Sequence, residues 1–162
     1  MRRYLPGTAD PKLLRLLQWW EEARRDREMP ERADLDPADL VDILPFLVLL
    51  DIGEAEDRTP QFTYRLAGGH FEDNLRLSLR GKRVRDLPLW GSDRREVYSQ
   101  YARTLEQRRP TYCVQEYDTQ DGWHVRYECL LTPMSRRGET LDMILGAVSF
   151  LTSHRSLPDL GR

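Results

Sequence analysis

The chain has 162 residues, enough for one domain, and 25 basic against 27 acidic side chains, a net charge of -2 that excludes the basic excess of a dedicated nucleic-acid binder. With 40% of its residues hydrophobic it can bury a core, which excludes disorder throughout. Two cysteines, Cys113 and Cys129, are too few for a disulfide framework and lack the spacing of a zinc site, so a reducing cytoplasm is the expected compartment.

Pro6, Gly7 and Asp10 stand where a secretory leader would need its apolar run. Asp10-Pro11 instead opens a helix, because Asp caps free N–H groups and Pro loses no hydrogen bond at the first helical position. That helix is expected over 11–28, with Leu13, Leu16, Leu17, Trp20 and Ala23 on one stripe and Leu14 and Trp19 widening it. Two adjacent Trp rings exceed what one packing surface normally needs. Leu16, Trp19 and Trp20 are therefore candidates for pairing two copies into a homodimer as well as for covering a sheet. Residues 1–30 read as this appendage, 31–151 as the domain proper and 152–162 as a short tail.

Asp36-Pro37 opens a second, short helix over 38–44, stopped by Pro45. The run from Phe46 to Ile52 is apolar on both faces and reads as a central strand; it is too short to span a membrane, which takes about 20 residues. Phe62, Tyr64 and Leu66 alternate with polar neighbours, giving a half-buried strand over 61–66 that forms a hairpin with the first. An irregular connector runs from Ala67 to Trp90, with helical pieces near 71–77. Ser92-Asp93 caps a longer helix to about Arg108, striped by Val97, Tyr101 and Leu105.

Strands are then expected over 111–118, 123–133 and 141–151. Asp121-Gly122 favours a two-residue type I′ turn between the first two of these. On that register Tyr112, Val114 and Glu116 share a face with Leu131, Cys129 and Tyr127, while Cys113 points to the other side. No disulfide between Cys113 and Cys129 follows.

This order of elements resembles a PAS domain, through Phe62-Thr-Tyr-Arg-Leu-Ala-Gly68 leading into a helical connector and then Leu79-Arg-Gly-Lys-Arg-Val-Arg-Asp-Leu87. More narrowly, Pro37-Ala-Asp-Leu40, Leu44-Pro45, Tyr64 to Gly68 and Ile144-Leu-Gly146 resemble a family of short standalone bacterial PAS-like proteins. The resemblance implies an α+β fold: a five-stranded antiparallel sheet in order 2-1-5-4-3, with helices over one face enclosing a small cavity and an amphipathic N-terminal helix. It also implies a sensory or regulatory module. With only 152–162 after the last strand, no output domain is expected to follow, so the signal would pass in trans to a separate regulatory protein such as a histidine kinase.

The residues restrict the chemistry. The helix over 93–108 contains no His for a haem, and His70, just before the connector helix, is the lone candidate near a cavity. Flavin photochemistry of this fold uses a connector Cys, and the connector has none. His70, Glu72 and Asp73 form a local cluster without the spacing of a metal site. No Ser-His-Asp order, Walker loop or dinucleotide fingerprint is present, so catalysis is not expected, a small α+β enzyme being the weakest reading. Tyr64, Tyr101, Tyr112, Trp123 and Tyr127 are assigned inward as lining of a ligand cavity, with His70 at its edge. Glu116 among them is either a ligand handle or half of a structural pair with Arg65 or Arg103. The competing class is a ligand-free adaptor whose interior the aromatics simply fill. Arg76, Arg80, Lys82, Arg83 and Arg85 read as a solvated connector, or else as a surface for an acidic partner.

Overall fold

A computed structural model describes residues 4–88, 93–119 and 121–155. Ser92, Trp90 and the tail beyond 155 lie outside the described residues. Helix α1 (Pro11–Arg24) begins as its sequence dictates: Asp10 accepts a hydrogen bond from the Lys12 N–H at 2.8 Å, and Pro11 occupies the first turn. It stops four residues before the expected end because Arg25 takes a left-handed φ of 53°. Pro37–Leu40 and Leu44–Phe46 form short 3-10 turns where one short helix was expected, and Pro at the start of each suits the tight entry.

Strands β1 (Leu47–Glu54) and β2 (Pro60–Ala67) form the first hairpin. Helix α2 (Gly69–Leu75) and helix α3 (Asp93–Gln107) follow, then β3 (Thr111–Asp118), β4 (Trp123–Met134) and β5 (Met143–Arg155). The sheet is antiparallel in order β2-β1-β5-β4-β3, as the resemblance implied. Among the described residues no helix is long and apolar enough to cross a membrane.

Alternation along the strands makes two cores. Val48, Leu50, Phe62, Tyr64, Val125 and Tyr127 face α2 and α3. Leu47, Leu49, Leu130, Leu145 and Ala147 face α1 on the opposite side. The helices thus divide between the faces, the N-terminal one closing the side that α2 and α3 leave open. Leu16, Trp19 and Trp20 are all buried there, and the Trp20 indole N–H donates to the Pro133 carbonyl at 2.8 Å. The expected spare Trp surface does not exist, because both rings are consumed within the chain.

Glycine is required at two close approaches. A Cβ on Gly68 would lie 2.2 Å from the Pro45 carbonyl oxygen, and one on Gly146 would lie 2.7 Å from Leu131 Cδ2.

The β3–β4 hairpin departs from its expected register by one residue. Asp118 pairs with His124 and the Thr119 N–H reaches the Trp123 carbonyl at 2.8 Å, so the loop is one residue longer than a two-residue turn. Gly122 supplies the positive φ (85°) within this longer loop, a conformation that glycine adopts without strain. The consequence is that every side chain of β3 lies on the face opposite to the one assigned. Cys113 now stands directly across from Cys129, on the same face, both as free thiols. Burial pushes the Cys113 thiol up to about 11.

Candidate functional site

A cavity of about 350 Å³ lies between α2, α3 and the sheet, at the small end of the usual range for ligand pockets. Phe71 and Leu75 come from α2, Val97 from α3, and Tyr64, Tyr117 and Tyr127 from the sheet. These positions follow from period: Phe71 and Leu75 are four apart on one helix face, and Val125 and Tyr127 are two apart on one strand face.

The polar groups fall into two sets. At the rim, Arg76 ends α2 in a left-handed conformation (φ 55°), so its guanidinium reaches back over the Trp123 ring, 4.2 Å from the centroid, and comes within 3.7 Å of Asp121. Thr119 Oγ1 donates to Asp121 at 2.5 Å, tying the hairpin loop into the same rim. In the interior, the hydroxyls of Tyr64 and Tyr101 share a hydrogen bond of 3.1 Å. The Tyr117 hydroxyl is buried against the cavity with no hydrogen-bond partner among the described residues. Burial raises its pKa well above that of an ordinary tyrosine, with the Tyr64 hydroxyl adding to the effect, so it keeps its proton and can act as a donor.

The structure brings Tyr64, Tyr101 and Tyr127 together in this core, with Trp123 partly buried beside them. It does not bring Tyr112, Glu116 or His70 there. Tyr112 and Glu116 moved to the other face with the register of β3. Tyr112 donates to the buried Glu128 carboxylate at 2.9 Å, and Glu116 is exposed and paired with Arg126 at 3.0 Å. Neither partner considered for Glu116 is used: Arg65 pairs with Asp51 at 3.3 Å. His70 is exposed and its ring packs on Phe46, 4.7 Å between centroids, outside the cavity lining.

Glu72 accepts from the Leu79 N–H at 2.7 Å, which spends it on folding the connector. Among the described residues no group of three metal-ligating side chains converges. Arg83 and Arg85 pair with Asp86 and Asp57. With Arg76 against Asp121, three of the five basic side chains of that stretch are paired locally. Phe71, Arg76, Tyr117 and Asp121 are among the site residues that sequence reasoning missed. Tyr117 would have been found by reading Gly122 as the left-handed residue of a longer loop.

The PAS domain profile matches residues 9–149. No curated protein gives a significant match to the sequence. Among solved structures, a light-oxygen-voltage domain studied with a flavin analogue superposes with a TM-score of 0.51 at 15% identity, over 66% of this chain and 77% of that one. The LOV protein of Rhodobacter sphaeroides superposes with a TM-score of 0.51 at 18% identity, over 72% of this chain and 69% of that one. At such identities these likenesses speak for the fold alone. The sheet order, the cavity beneath α2 and α3 and a profile match spanning most of the chain agree, and the chain belongs to the PAS domain family.

Proposed function

We propose that this chain is a sensory module, not a catalyst, whose cavity takes a small, largely apolar molecule carrying one hydrogen-bond acceptor. The observation that carries this reading is the Tyr117 hydroxyl, a donor buried against the cavity without a partner. Leaving such a group unsatisfied costs about 1–3 kcal/mol, a cost that a ligand oxygen or nitrogen would recover. Phe71, Tyr64 and Tyr127 supply apolar contact for the rest of the molecule, and the Arg76–Asp121 contact closes the rim over it. Because that pair is half exposed, opening it for entry costs little.

A flavin fits this lining poorly. Its ring edge presents several donors and acceptors that call for amide side chains, whereas among the described residues no Asn or Gln lines the cavity, and its phosphate would have to compete with Asp121 for Arg76, the one cation among the described lining residues. A cysteinyl adduct has no local source either, since Cys113 and Cys129 sit on the sheet and neither lines the cavity. Haem meets a similar obstacle, with His70 turned out onto Phe46.

The signal passes to a separate regulatory protein such as a histidine kinase. Trp19 and Trp20 do not mediate that contact, being buried between α1 and the sheet.

Native mass spectrometry of freshly purified protein is the test. A retained small molecule that is lost on Tyr117→Phe supports the reading. A clean apo mass, with Tyr117→Phe more stable than wild type and equally able to capture a partner, overturns it in favour of a ligand-free adaptor.

A further inference from the structure

The far end of α3 carries a second concavity of different character. Arg108 leaves the helix with a left-handed φ of 52° and Pro110 prevents any continuation, so the chain folds back sharply into β3. This turn sets Arg109 beside Arg103 and Gln107 in a cleft of about 440 Å³, closed by Tyr4 and Tyr112. Arg108 itself points elsewhere, holding Glu28 through two hydrogen bonds of 2.8 Å.

Charge in this cleft is one-sided. Among the described residues no carboxylate lines it, and neither Arg103 nor Arg109 has a carboxylate oxygen within ion-pair distance. Gln107 Oε1 accepts from Arg109 Nε at 3.2 Å, which orients that guanidinium and leaves its terminal N–H groups unengaged by any carboxylate. Behind Tyr112, Glu128 is buried and accepts from the Tyr112 hydroxyl and the Asp10 N–H.

The cleft beside α1 makes the contrast, since there Arg15 and Arg25 are balanced by Glu22, Asp34 and Asp39. The C-terminus of α3 contributes only about half a negative charge, against two full positive ones. Two guanidinium forks in one concavity suit an oxyanion, each fork able to donate two parallel N–H bonds.

We propose that the Arg103–Arg109 cleft is a binding site for a small oxyanion, a phosphoryl or carboxylate group. The site is independent of the cavity, and α3 links the two, with Val97 lining one and Arg103 the other. An anion here would therefore bear on the helix that roofs the sensory cavity.

Calorimetric titration of the full chain at low salt, with inorganic pyrophosphate and with succinate, tests this. The doubly substituted Arg103→Gln, Arg109→Gln protein should bind the preferred anion roughly 10- to 100-fold more weakly, the loss of one or two charge-assisted hydrogen bonds. Arg80→Gln, an exposed cation on the connector, should bind as wild type does. Vesicles bearing a phosphorylated lipid headgroup form a separate arm: binding there that the double substitution removes assigns the same chemistry to a membrane source, and binding of the free anion alone assigns it to a soluble one. Wild-type protein that takes up neither free anion nor vesicles at millimolar concentration overturns the proposal. So does a double variant that keeps wild-type affinity, or an equal loss in Arg80→Gln.

Discussion

The two faces of one sheet have been covered in opposite ways. Beneath α1, a single amphipathic helix lays Leu13, Leu16, Leu17, Trp19 and Trp20 onto Leu47, Leu49, Leu130 and Leu145, and every one of these is buried. Beneath α2 and α3, a seven-residue helix and a fifteen-residue one joined by an irregular connector leave a cavity, and the aromatic residues around it are mostly tyrosines. Among the described residues, buried side-chain polar atoms without a partner occur on the second face in Tyr117 and in Gln100, which lies against Cys129, and also in Ser135 just past β4. One helix laid along a sheet can exclude all space beneath it, whereas two helices separated by an irregular connector leave room between them. The difference places stability on the first face and, on the reading proposed above, ligand recognition on the second.

The largest expected effects lie on the closed side and at its seam. Trp20→Ala removes a fully packed ring together with its hydrogen bond to Pro133, and should lower unfolding free energy by about 3–5 kcal/mol in urea titration. Gly68→Ala forces a Cβ onto the Pro45 backbone, which cannot swing aside as a side-chain tip can, so the cost should reach or exceed the roughly 1–3 kcal/mol of ordinary overpacking. If Trp20→Ala proved mild, the closed face would not be the stabilising one and the comparison would fail.

The same contrast decides how much could be read beforehand. α1 and the β1–β2 hairpin were legible because capping residues and periods of 3.6 and 2 are local signals that act over many residues at once, whereas the strand order followed from the resemblance to PAS domains. The cavity was legible only in part. Tyr64 and Tyr127 sit on strands whose facing is set by long apolar alternation, and their placement followed. β3 carries Tyr112, Val114, Glu116 and Tyr117 in a pattern that either face could accept, so its facing hung on the hairpin loop alone. Asp121-Gly122 satisfies two loop geometries, and the chain takes the longer one, with Asp118 across from His124. A one-residue difference there exchanged Tyr117 for Glu116 and put Cys113 across from Cys129. The facing of β3 was misread where the length of one loop, and not the periodicity, set the register.

Smaller effects probe the hollow face. Tyr117→Phe deletes a hydroxyl that has no partner in the unliganded protein, so stability of the apo form should stay within about 1 kcal/mol of wild type or rise, while ligand retention falls. A clear loss of apo stability would mean that the hydroxyl is satisfied within the protein and is not waiting for a ligand. Alkylation of Cys113 should be slow at neutral pH and accelerate as pH climbs toward about 11, since burial favours the protonated thiol and only the thiolate reacts. Fast alkylation at pH 7 would show that β3 opens readily at this end.

Glu116→Gln should have the smallest effect of all. Its carboxylate is 56% exposed and pairs with Arg126 across the surface of the sheet, on the face away from the cavity. Exposed pairs of this kind contribute about 0–1 kcal/mol, and the His124 imidazole 4.0 Å away adds charge only when protonated. Thermal unfolding and ligand retention should both match wild type at pH 7. A drop in ligand retention without a drop in stability would return Glu116 to the cavity and β3 to the two-residue register. The substitution therefore tests, at little cost to the fold, the one-residue shift on which the composition of the site depends.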